Sequence, residues 1–117
     1  MTPEELRELD NWLAVIVMKW TATKGALQPK DESEPKWWWT PDGKRRMSLW
    51  RPTTDPASCD KLLDKISEEG WTWVLTFGSN TFDFHMWRTA NGEFTSAADA
   101  AETKFLAVCL CAKKAYS

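Results

Sequence analysis

Sorting the alternating segments of this sequence by face brings three indoles, a guanidinium, a hydroxyl, a carboxylate and the chain's only histidine together. The set is Trp38, Arg46, Ser48 and Trp50 from a first hairpin, and Asp83, His85 and Trp87 from a second. Lys36, Thr72, Val74 and Thr76 complete that face. Flat rings with a few polar anchors are the composition of an amphipathic pocket. Trp38, Trp50 and Trp87 would stack on a nucleotide-type ligand while Arg46 neutralises its phosphate. Lys44, Arg45, Arg46 and Arg51 form a basic edge beside the run Trp37-Trp38-Trp39, which also suits single-stranded nucleic acid or a negatively charged protein surface. The same residues have a purely structural reading as a second, more polar core layer, in which Arg46 over Trp38 is a cation–π pair worth about 0.5–1 kcal/mol.

Catalysis has weaker support in the residues. Asp83, His85 and Ser48 contain the groups of a triad, but the serine has no strained elbow and no nearby glycine pair to supply oxyanion donors. Cys109-x-Cys111 with one distant histidine lacks the paired spacing of a zinc site. Gly78 and Gly92 are isolated turn glycines, so no phosphate loop is present. No catalytic residue, metal or cofactor is expected.

The chain has 117 residues and nine tryptophans, enough length for one domain with a real core. A formal charge of -2 and an isoelectric point near 5.4 disfavour binding of duplex nucleic acid through a broad basic surface. The apolar run from Leu13 to Met18 is far too short to cross a membrane, and the residues after Met1 lack a basic leader. A soluble, cytoplasmic protein is expected. Cys59, Cys109 and Cys111 are an odd number, best read as reduced, buried thiols.

The positioning elements follow from local signals. Thr2-Pro3-Glu4-Glu5 caps a first helix whose stripe runs Leu6, Leu9, Leu13, Ile16 and Trp20, ending at Lys24-Gly25. Gln28 to Pro35 reads as a loop. The turn Thr40-Pro41-Asp42-Gly43 joins strands near 36–40 and 44–51, and pairing Thr40 with Lys44 sets Trp39 against Arg45, Trp38 against Arg46 and Trp37 against Met47. Asp55 and Pro56 open a second helix with Cys59, Leu62, Leu63 and Ile66 inside, stopped at Gly70. Strands 71–77 and 81–88 form another hairpin. After Asn91-Gly92 the alanine-rich remainder reads as helical to about Ala115, starting at the capping box Ser96 to Asp99 or later at Thr103, which would leave Ser96 to Glu102 as irregular or separate helical turns. The core face of the sheet collects Trp37, Trp39, Met47, Leu49, Trp71, Trp73, Leu75, Phe77, Phe82, Phe84 and Met86. The result is an α+β domain of order α-ββ-α-ββ-α with a four-stranded, mainly antiparallel sheet.

Three segments resemble the phage ABA sandwich domain of small phage proteins. They are Leu9-Asp10 through Val17-Met18-Lys19-Trp20, Trp50-Arg51-Pro52-Thr53-Thr54-Asp55-Pro56, and Glu102-Thr103-Lys104-Phe105-Leu106-Ala107-Val108-Cys109. The chain departs from that pattern at Lys19, where glycine is frequent, and at Phe105, where proline is common. The resemblance implies a three-layer helix/sheet/helix sandwich and a phage or prophage origin; it implies no catalytic residues.

Residues and resemblance together suggest a non-enzymatic phage accessory protein that works by binding, with sequestration of a nucleotide-type ligand as a counter to host defence its most concrete form. A protein-binding inhibitor of a host defence factor, using an exposed Trp/Arg hairpin, is the alternative, and a single-stranded nucleic-acid binder a second. A homo-oligomer is compatible with all of these.

Overall fold

The computed structural model describes residues 1–22, 38–42, 46–47 and 50–117. Lys36, Trp37, Lys44, Arg45, Ser48 and Leu49, the loop from Gln28 to Pro35 and the side chains of Arg46 and Met47 lie outside the described residues.

Among the described residues three helices and six strands follow in the order α1 (Pro3–Ile16), β1 (Thr21–Ala22), β2 (Trp38–Trp39), β3 (Arg46–Met47), α2 (Pro56–Glu68), β4 (Thr72–Gly78), β5 (Thr81–Ala90), β6 (Glu93–Ala101) and α3 (Lys104–Tyr116). The fold is α+β, and its strand pairs are antiparallel. Among the described residues the strands form two sheets, β1-β2-β3 and β4-β5-β6, so the expected single sheet of four is not what they build.

Each helix starts where its cap dictates. Thr2 and Glu5 close a reciprocal capping box on α1, Asp55 accepts from the Ser58 N–H at 2.8 Å, and Thr103 accepts from the Leu106 N–H at 3.2 Å. Each side chain satisfies an N–H that the helix leaves without a partner. Helix α1 ends at Ile16, well before Lys24, because the backbone turns over at Lys19 with φ 61°. A non-glycine residue there costs about 1 kcal/mol or more, which is the physical sense of glycine at this position in the resembling proteins. The turn lets Trp20 enter the core, edge-on to Trp50 with ring centroids 4.6 Å apart.

Helix α3 is the centre of the molecule. It packs on β5 and β6 and also meets α1 and α2, and its residues Ala107, Val108, Cys109, Cys111 and Ala112 are buried around more than one side. Phe84 and Met86 lie beneath it with no exposure. Its C-terminal end is tied down by Tyr116, whose hydroxyl donates to Glu69, while Arg88 donates to the Glu69 carbonyl at 2.9 Å and stacks 4.4 Å over Trp71.

The segment 93–101, expected as helix from the Ser96 box or as irregular or separate helical turns before a start at Thr103, is strand β6. Asn91 and Gly92, at φ 55° and 79°, form a two-residue turn of the kind that matches strand twist, and β6 pairs residue by residue with β5 from Ala90↔Glu93 to Phe82↔Ala101. Tertiary pairing overrides the helix preference of alanine, and the small Ala97 and Ala101 let α3 approach the sheet. Asp99 caps no helix; it accepts from the Ala100 N–H and pairs with Lys114.

The first hairpin is displaced by one residue from expectation. Trp38 pairs with Met47 and Trp39 with Arg46. A one-residue slip turns every side chain to the other face, so Trp38 is buried and Trp39 half-buried, the reverse of the expected assignment. The second hairpin keeps its expected faces, with Trp71, Phe84 and Met86 buried and Trp73, Leu75 and Phe82 half-buried. Phe77 departs from the core set: at the hairpin end it is 63% exposed, stacked on Phe82.

Candidate functional site: the open face of the second sheet

The expected site residues separate. Trp38 and Trp50 are each 5% exposed and belong to the core, where neither ring has a face free for a ligand. The Trp50 indole N–H donates to the Asp10 carbonyl at 2.8 Å. Arg46 is in β3, in the other sheet from Asp83, His85 and Trp87, and Ser48 lies outside the described residues.

The Trp50 contact is one part of a joint that explains two of the resembling segments at once. The buried Asp10 carboxylate accepts from the Thr53 N–H at 3.0 Å and from the Thr53 hydroxyl at 3.1 Å. The chain then turns through Arg51, whose carbonyl accepts from Thr54 and Asp55, and Asp55 caps α2. Asp10 and Thr53 therefore hold α1 against the start of α2, a structural role with no reacting group left over.

Asp83, His85 and Trp87 stay together, with the His85 and Trp87 rings 4.9 Å apart. Strand alternation puts Thr72, Val74 and Thr76 of β4 and Phe94, Ser96, Ala98 and Ala100 of β6 on the same face. That face points away from α3 and is open. Val74 is 43% and Phe94 67% exposed, and Thr72, Thr76, Asp83, His85, Ser96, Ala98 and Ala100 are exposed as well. A helix covering this side, expected from a three-layer sandwich, is not found among the described residues.

The face has relief. Ala98 and Ala100 stand beside the larger Val74, Thr76, Asp83 and His85, leaving a concavity of about 310 Å³. Next to it rise Trp87 and Phe94, diagonal neighbours through the pairs Trp87↔Ser96 and Thr89↔Phe94. No lysine or arginine occupies the face positions of β4, β5 and β6, and the one formal charge among them is the Asp83 carboxylate. The face positions of these three strands therefore offer phosphate no cation of their own. The sequence signal that could have found Phe94, Ser96, Ala98 and Ala100 was Asn91-Gly92 directly after an alternating strand.

A second crevice of about 290 Å³ runs between α1 and α3, floored by Leu9, Trp12 and Leu110 and edged by Glu5, Glu8 and Lys113. Among the described residues no group of three or more histidine, cysteine, aspartate or glutamate side chains could hold a metal ion. The three thiols are free and buried. Burial pushes Cys59 and Cys111 up to about 11, and Cys109 is raised well above the usual range by burial and then by its neighbours Cys59 and Asp10. Such thiols are poor nucleophiles at neutral pH. No described helix is long and apolar enough to cross a membrane.

No protein-family model matches the chain, and no curated protein matches it. Among solved structures it is similar to a phage protein from Bacillus cereus ATCC 14579, with a TM-score of 0.60 and 16% identity over 98% of this chain and 87% of that one. At that identity the likeness is one of fold.

Proposed function

We propose that this is a non-enzymatic phage accessory protein that binds a partner protein on the open face of β4, β5 and β6. One observation carries the reading: an uncovered sheet face on which Val74, Trp87 and Phe94 stand among hydroxyls and small residues, with no basic side chain. Aromatic and β-branched groups that are already ordered by a sheet desolvate at little entropic cost, and a protein surface is the ligand that uses an area of this kind. The phage setting is supported by the fold likeness and by the resembling segments. The nucleotide reading loses two of its three stacking rings to the core, and Arg46 stands in another sheet.

Immobilised wild-type protein should capture a host protein from lysate, and Val74→Glu and Trp87→Ala should each cut that capture at least tenfold while melting within a few degrees of wild type. Both side chains are partly exposed, so their loss removes contact area without opening the core. Capture unaffected by both variants, or saturable quenching of tryptophan fluorescence by a nucleotide panel, overturns the reading.

A further inference from the structure

The outer edge of β6 is half closed and half open. In a two-residue hairpin the residues flanking the turn exchange hydrogen bonds, here Ala90 and Glu93, so bonding to β5 continues through the odd-numbered residues of β6. Phe94, Ser96, Ala98 and Ala100 consequently aim their N–H and C=O groups away from the sheet. Two of these residues have their outward groups engaged: the Ala98 carbonyl accepts from Lys114 Nζ at 3.2 Å, and the Ala100 N–H donates to the Asp99 carboxylate at 2.8 Å. Lys114 and Asp99 are themselves paired at 3.1 Å. This closes the strand end near α3 against further pairing, as protein edges generally are. From Glu93 to Ala97 the described residues provide no such device, the strand has no proline and no lysine there, and Phe94 is 67% exposed.

We propose that this open half-edge pairs with the same half-edge of a second copy, giving a two-fold dimer with a continuous six-stranded sheet. One register uses every open group. Setting Phe94 opposite Ser96 of the second copy, and Ser96 opposite its Phe94, satisfies all four outward N–H and C=O groups of these residues in each chain. It places Thr95 on the two-fold axis and stops where Lys114 has closed Ala98. An unrelated strand would have no reason to end at that point. The charges agree: Glu93 falls opposite Ala97, so the two glutamates sit at opposite ends, each near the Lys114 that closes the other copy's edge. Phe94 gains cover by lying in the row of Ser96 and Trp87 of the second copy. Because the axis is normal to the sheet, both open faces point the same way. The dimer would thus double the proposed binding surface, but it rests on the edge alone and is tested without a partner.

Native mass spectrometry at tens of micromolar should show a dimer. In the proposed register Thr95 faces itself in a non-hydrogen-bonded pair with Cα atoms about 4.5 Å apart, within disulfide reach. Thr95→Cys should therefore cross-link into dimers under mild oxidation, whereas Ser96→Cys, about 7–8 Å from its copy, should not. The native thiols are buried and give little background. Ser96→Pro removes an outward donor and should yield a monomer that melts near wild type, since proline is tolerated on an edge. A monomeric wild type, cross-linking at Ser96→Cys in place of Thr95→Cys, or a folded Ser96→Pro dimer overturns the proposal. If Ser96→Pro does not fold, the cysteine pair decides.

Discussion

Phe84→Ala should lower the unfolding free energy by about 3–5 kcal/mol, the loss typical of a phenyl ring removed from a packed interior. Phe84 has no exposure, stacks on Trp73 at 5.5 Å and lies on the sheet face that receives α3. Its neighbours Leu75 and Asp99 are fixed by strand pairing and cannot collapse into the space. A small domain commonly holds only about 5–15 kcal/mol in total, so a large shift of the urea midpoint is expected with little change in slope. A midpoint close to wild type would mean that α3 does not cover this face. Trp73→Ala should cost less, since that ring is half-buried and its N–H donates to the exposed Ser67 hydroxyl.

Asp10→Ala should destabilise by about 3 kcal/mol or more, because it strands two buried donors, the Thr53 N–H and hydroxyl, each costing about 1–3 kcal/mol when unpaired. Asp10→Asn keeps one carbonyl oxygen for the Thr53 N–H and should lose clearly less. Equilibrium denaturation of the two variants checks this, and equal losses would show that the side-chain geometry of the joint is not what stabilises it. Neither substitution touches the open face, so partner capture by the folded fraction should persist.

The elements legible in the sequence are those set by contacts a few residues apart. The caps Thr2 and Asp55 and the alternation of β4 and β5 each carry their own signal and stand where expected, and of the two starts open for the last helix the later one, at Thr103, is the one that forms. What was hidden depends on distant partners. The three-tryptophan run cannot reveal which indole faces inward, since the choice rests on a register that a single residue of loop length reverses. Strand β6 was masked by alanines that favour helix and by Ser96 and Asp99, which mimic a capping box; only its pairing with β5 makes it a strand. The site was half legible for the same reason. Alternation alone places Asp83, His85 and Trp87 on one face, whereas the β6 half of that face carries helix-like signals. The observed register reverses the face assigned to Trp38, and Trp50, beyond the end of β3, is buried through its bond to the Asp10 carbonyl rather than set by strand alternation.

The open face is the central claim, and mapping amide and indole NMR shifts on adding the captured partner tests it most directly. The predicted result is a cluster of changes at Thr72, Val74, Thr76, His85, Trp87 and Ala98, with the Trp87 indole N–H among the largest and the Trp38 and Trp50 indoles unmoved. Changes centred on β2 and β3, or in the crevice around Trp12 and Lys113, with the open face silent, would contradict it.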